Sequence, residues 1–204
     1  MKKLLLLLIA GCFVASPALA VTGDYGWEDC GTVLGMYPDD AYIATNVGDP
    51  VHSGAASLKL ERTSGSTPQA YVAWITGLTD GDVIEVCFWV YDTTPSGEVP
   101  KGRIWGHYST SADITDYQGS AGGNSTYSAG PGWDQLCHTW TFDSSAGTRD
   151  ALVVEARTYS NPGDTIWVDD ITVTAPDGAT IHFPPAGPTA VESVSWSNVK
   201  ALFH

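Results

Sequence analysis

Apolar and polar residues alternate in Ser57-Leu58-Lys59-Leu60-Glu61, the period of a strand with one face buried. Short runs rich in β-branched and aromatic residues follow over 70–75, 83–91, 103–109, 136–142, 152–159 and 165–174. Turn-forming clusters separate them: Thr79-Asp80-Gly81-Asp82, Thr94-Pro95-Ser96-Gly97, Gly130-Pro131-Gly132 and Pro176-Asp177-Gly178. No helical period of useful length occurs before the last residues. About eight short strands at this spacing predict an all-β chain, a β-sandwich of the jelly-roll kind with two antiparallel sheets. No linker interrupts 21–183, so one domain is expected there. The Gly- and Ser-rich stretch 119–132 reads as a long surface loop.

The two ends follow other patterns. Met1-Lys2-Lys3, the apolar run from Leu4 to Ala10 and the small-x-small ending Ala18-Leu19-Ala20 predict a signal peptide over 1–20. Cleavage after Ala20 would make the chain secreted, extracellular or held at the cell surface. Ile9-Ala10-Gly11-Cys12 is the competing lipoprotein pattern, with Cys12 as a lipid anchor. Residues 184–204 form a Pro-rich linker and a tail. In the tail Trp196, Val199, Leu202 and Phe203 share one face of a short helix that Ser195 could cap. Docking on the sandwich and anchoring both fit that tail.

Charge narrows the partners. Nine Lys and Arg stand against 23 Asp and Glu in 204 residues, a net charge of -14, and two of the cations are in the leader. Phosphate affinity comes mainly from Lys and Arg, so a nucleic-acid partner is disfavoured, as is an anionic membrane surface. With 43% hydrophobic and 16% charged residues the chain is not a disordered one. A monomer is expected. Beyond the leader three cysteines remain, Cys30, Cys87 and Cys137, with no CxxC pattern; their pairing stays open.

Three stretches, taken in order, carry a resemblance: Gly26-Trp27-Glu28, the run from Val51 through His52-Ser53-Gly54 to Leu60, and Ile166-Trp167-Val168-Asp169-Asp170-Ile171-Thr172-Val173. Together with Cys87–Tyr91 and Trp133–Phe142 they resemble carbohydrate-binding modules with a galactose-binding-like jelly roll, over residues 24–175. The resemblance implies binding of a polysaccharide or glycan without catalysis. It also implies a structural Ca²⁺ held by Glu28, backbone oxygens of Ser53 and Gly54, and Asp169, with Asp29 as the alternative acid. Strict alternation would put Asp169 on the face of Ile171 and Val173, where a carboxylate needs a partner and a hard cation supplies one.

Strand faces propose where a sugar would lie. With Val86, Phe88 and Val90 inside, Trp89 and Tyr91 point outward. Placing Ile104 and Tyr108 inside turns Arg103, Trp105 and His107 out; placing Leu152, Val154 and Ala156 inside does so for Glu155, Arg157 and Tyr159. A jelly roll by its usual order places these three strands in one sheet, so the outer face would join flat rings to fixed polar groups, the chemistry a sugar requires. Large aromatics more often fill cores, and Trp74, Trp133 and Trp140 are assigned to core or inter-sheet packing. A polysaccharide-degrading enzyme is the weaker alternative. It needs two placed carboxylates, and only a distant Glu61 could join Glu155; GxSxG and HExxH are absent. A structural or adhesive surface module is the other alternative.

Overall fold

The structure, a computed structural model, describes residues 20–64 and 68–187. The leader through Leu19, Cys12, and the tail residues Trp196, Val199, Leu202 and Phe203 lie outside these. Twelve strands succeed one another: β1 (Ala20–Tyr25), β2 (Gly35–Tyr37), β3 (Tyr42–Val47), β4 (Ser57–Arg62), β5 (Gln69–Thr76), β6 (Val83–Asp92), β7 (Lys101–Ser109), β8 (Ser120–Gly123), β9 (Gly132–Thr141), β10 (Ala151–Tyr159), β11 (Thr165–Pro176) and β12 (Thr180–His182). They form two six-stranded antiparallel sheets. One runs β3-β4-β11-β6-β9 with β1 also beside β11; the other runs β12-β5-β10-β7-β8 with β2 also beside β5. Among the described residues no helix is long and apolar enough to cross a membrane.

The expected sandwich is therefore present, with twelve strands rather than about eight. The unforeseen ones are short edge pieces held by backbone pairing, which leaves little hydrophobic signal. Ser120-Ala121-Gly122-Gly123 is the extreme case: read as part of a loop, it pairs with β7 as strand β8. Long β11 serves two partners on one edge, β4 along its first residues and β1 along its last.

The core lies between the sheets, where Leu58, Val86, Phe88, Ile104, Leu152 and Trp140 are buried. Each such side chain contributes about 1.5–3 kcal/mol on leaving water. Two bulges break strict alternation. In β10 the register against β5 shifts between Val154 and Glu155; in β11 it shifts between Asp169 and Thr172 against β6, where Asp170 takes φ +46. Ile166 and Val168 before that bulge, and Ile171 and Val173 after it, all reach the core.

Cys87 and Cys137 stand opposite each other on β6 and β9 and form a disulfide, while Cys30 is free and exposed. One expectation fails here. β6 belongs to the sheet of β11 and β9, whereas β7 and β10 lie in the other. Trp89 and Tyr91 are thus separated by the whole sandwich from Trp105, His107, Glu155, Arg157 and Tyr159.

Candidate ligand-binding face

The outer face of the β2-β5-β10-β7-β8 region is built in rows by strand register. One row reads Tyr37, Gln69, Arg157, Arg103. The next reads Gly35, Tyr71, Glu155, Trp105, Gly123. The glycines that end this row leave room for rings: a Cβ on Gly35 would meet the Tyr71 ring at 2.9 Å, and one on Gly123 would meet the Trp105 ring at 2.9 Å. Tyr71 and Trp105 consequently flank Glu155.

Glu155 faces outward as expected but is not exposed; it is 0% accessible and His107 1%. Pointing away from the core and reaching solvent differ here, because Tyr71 and Tyr117 both pack on the His107 ring, at 5.1 and 5.4 Å between centroids. The His107 Nδ1 lies 2.6 Å from Glu155 Oε1, and Arg157 Nε donates to Oε2 of the same carboxylate. The Gln69 amide joins them, its nitrogen toward Glu155 Oε1 and its oxygen accepting from Arg157, each at 3.2 Å. The carboxylate is desolvated yet fully partnered, the condition for keeping a charge inside. Burial, with the neighbouring charge of Glu155, pushes the Tyr71 phenol up to about 12.

Arg103 and Arg157 both lie over the Trp105 ring, at 3.9 and 5.0 Å from its centroid. Tyr127 and exposed Tyr159 pack edge to face beyond them at 5.1 Å. On the other flank a cleft of about 650 Å³ opens among Met36, Tyr37, Asp39, Gln69, Tyr71 and Tyr117. Its size is that of a small-molecule or sugar-ring site.

Of the predicted set, Trp105, His107, Glu155, Arg157 and Tyr159 are brought together here, with Tyr71, Gln69, Tyr117 and Tyr127 added. Tyr71 was within reach of the sequence, since it alternates with Ala70 and Val72. Tyr117 and Tyr127 come from irregular segments that carry no period. Trp89 and Tyr91 belong elsewhere: with Trp133, Trp167 and His52 they pave the outer face of the first sheet. Trp133 and Trp74 are half-buried on outer faces, not in the core; Trp74 donates to Ser109 Oγ and packs against His182. Trp140 is in the core as expected. Glu61 sits in the first sheet and pairs with Lys59, so it does not face Glu155.

The expected calcium residues do converge, though not through strict alternation. The β11 bulge leaves Asp169 opposite Trp89, on the outer face, where the His52-Ser53 turn covers it completely. Its carboxylate accepts from the amides of His52 (2.8 Å), Ser53 (3.4 Å) and Asp170 (2.8 Å). Burial raises its pKa, against the pull of those amides. Glu28 accepts from Ala55 N at 3.0 Å, and Gly54, with φ +65, leaves the space that Glu28 Oε1 occupies. Oxygens of Asp170, Asp169 and Glu28 lie 3.4, 3.9 and 3.9 Å from where a Cβ of Gly26 would stand. Three carboxylates thus approach the Gly26 end of β1, but among the described residues no three acidic, His or Cys side chains stand close enough together to hold a metal ion. The carboxylate of Asp29, the alternative acid, accepts from Tyr25 Oη and Gly31 N.

No protein-family model matches the chain, and no curated protein sequence matches it. Solved structures do. The xylan-binding domain CBM22-2 of Paenibacillus barcinonensis Xyn10C is similar at 16% identity and a TM-score of 0.51, over 75% of this chain and 98% of that one. The CBM22-1-CBM22-2 tandem domain of the same protein gives 12% and 0.53, over 87% and 50%. The CBM22-1-GH10 modules of Clostridium thermocellum Xyn10B, a structure with xylohexaose, give 12% and 0.53, over 76% and 28%. The fold is thus that of the β-sandwich carbohydrate-binding modules, as the resemblance in the sequence implied.

Proposed function

We propose that this chain is an exported, non-catalytic module that binds a polysaccharide on the outer face of β5, β10 and β7. The observation that carries this reading is a single row, in which the Tyr71 and Trp105 rings flank the buried Glu155, whose carboxylate fixes the partly exposed Arg157, beside a cleft of about 650 Å³. Rings of this kind stack on the C–H faces of sugars, and fixed polar groups orient hydroxyls. The CBM22-2 domain named above is described as xylan-binding, which makes xylan the first polymer to try. Export rests on the pattern of residues 1–20.

A structural Ca²⁺ held by Glu28, Asp169 and the Ser53-Gly54 backbone is part of the same proposal. It would tie the 52–56 turn to the start of the sandwich and take no part in sugar contact.

Affinity electrophoresis through a panel of soluble polysaccharides tests the main claim. At least one polymer should retard the protein, and Tyr71→Ala and Trp105→Ala should abolish the retardation while still folding. No retardation by any polymer, or retardation indifferent to both substitutions, refutes the assignment of this face.

A further inference from the structure

The described residues hold six cations, Lys59, Arg62, Lys101, Arg103, Arg149 and Arg157, in a chain with 23 acids. Three of the six share the β7-β10 flank of the candidate face. Arg103 stands directly opposite Arg157, and Lys101 opposite Tyr159. Like charges facing each other across a strand pair are unfavourable, so the arrangement calls for a counter-charge.

Arg157 has one in Glu155. Arg103 has none: among the described residues no carboxylate lies within ion-pair distance of it. Its Nε is buried without an acceptor, and one terminal nitrogen donates to Tyr127 Oη at 2.8 Å. The guanidinium instead lies 3.9 Å from the Trp105 centroid, with the Tyr127 and Tyr159 rings at 5.4 and 6.0 Å. Desolvation would raise the Tyr127 phenol, yet hydrogen bonds from Tyr159 and Arg103 and the charges of Arg103 and Lys101 hold it below its ordinary value. Acidic groups occur on the far flank, where Asp39 lines the cleft and Asp113 and Asp116 flank Tyr117. The face is polarised, with the cations gathered around Trp105.

We propose that the ligand of this face is an anionic polysaccharide whose carboxylate or sulfate seats on the Arg103 guanidinium. This rests on the glycan-binding reading and adds the charge of the glycan to it. A planar fork stacked on an indole is pre-organised for such an oxyanion. The chain as a whole repels polyanions, so any preference for them must arise locally.

The test uses matched polymers in affinity electrophoresis of the full chain at physiological ionic strength. Glucuronoxylan is compared with its carboxyl-reduced form, polygalacturonate with its methyl ester, and a sulfated galactan with its desulfated form. The anionic member of at least one pair should bind about tenfold tighter than its neutral counterpart, and which pair responds tells carboxylate from sulfate. Arg103→Gln should erase the difference and Arg103→Lys should restore part of it, with melting temperatures recorded to show that both fold. Equal retardation by charged and neutral members would overturn the inference and leave glycan binding standing. So would a preference that survives in folded Arg103→Gln. No retardation by any polymer would remove the glycan-binding reading itself. The wild-type comparison decides the ligand class even if a variant fails to fold.

Discussion

The imidazole of His52 lies on the indole of Trp89, ring centroids 3.8 Å apart and 16° from parallel, while its Nδ1 stands 2.6 Å from Asp170 Oδ2. Trp89 is outward-facing, as its strand pattern indicates, but one side of its ring is already taken. The contact also ties the 52–53 turn to β6 and to the β11 bulge.

Trp89→Ala should therefore act on stability and not on ligand binding. The side chain is half-buried, and its removal should cost about 2 kcal/mol, lowering the melting temperature by about 4–8 °C. Polysaccharide retardation should stay within about twofold of wild type, a difference of about 0.4 kcal/mol. Loss of binding in a folded Trp89→Ala protein would move the site to the other sheet.

Trp105→Ala should give the opposite pattern. The indole is partly exposed on its face and supports two guanidinium groups, at 3.9 and 5.0 Å. Its loss should weaken polysaccharide binding by about 2 kcal/mol, roughly thirtyfold, as an aromatic hot spot does. Isothermal titration with the retarding polymer measures this, and a change under threefold would count against the row of Tyr71, Glu155 and Trp105 as the binding surface.

Much of this was legible in local pattern and the rest was not. Inward and outward positions of β6, β7 and β10 follow from alternation, which depends only on the pleat. Sheet membership does not: β6 pairs with β11, some 80 residues later in the chain, and nothing within Val86–Tyr91 specifies that choice. The bulge at Asp169–Asp170 is equally silent, since one extra residue flips the phase without leaving a glycine to mark it. The cover over His107, the partner of Glu155, includes Tyr117, which packs on the imidazole from an irregular segment.

Calcium removal should act on stability. If Glu28 and Asp169 hold a cation, chelator should lower the melting temperature by several degrees, and added Ca²⁺ should restore it with a concentration dependence set by mass action. Glu28→Gln should lose most of that response. A melting curve indifferent to chelator and to Ca²⁺ would leave the acids satisfied by the amides of Ala55, His52 and Ser53 alone.

Glu155→Gln should be among the most damaging single substitutions outside the core. It keeps the volume but removes the charge that answers the partly buried Arg157, and it disturbs the bond to His107 as well. Breaking a buried pair from one side costs about 3–5 kcal/mol. Urea unfolding should show a lowered midpoint at unchanged slope; a shift under about 1 kcal/mol would mean that solvent reaches the carboxylate and that the network is not closed.

The Cys87–Cys137 bond should act on stability and not on ligand binding. It closes a loop with a sequence separation of 50, and in the chain-entropy description such a cross-link removes about 4 kcal/mol of freedom from the unfolded state. Cys87→Ser with Cys137→Ser should therefore lower stability by about 2–4 kcal/mol, less than the full amount because β6 and β9 remain paired along ten residues each. Polysaccharide affinity should not change, since the bond lies on the first sheet and the candidate face on the second. Denaturant unfolding with and without reductant separates the two effects. A loss of affinity in the folded double variant would mean that the two sheets are coupled through the core, and the assignment of the sites to independent faces would fail.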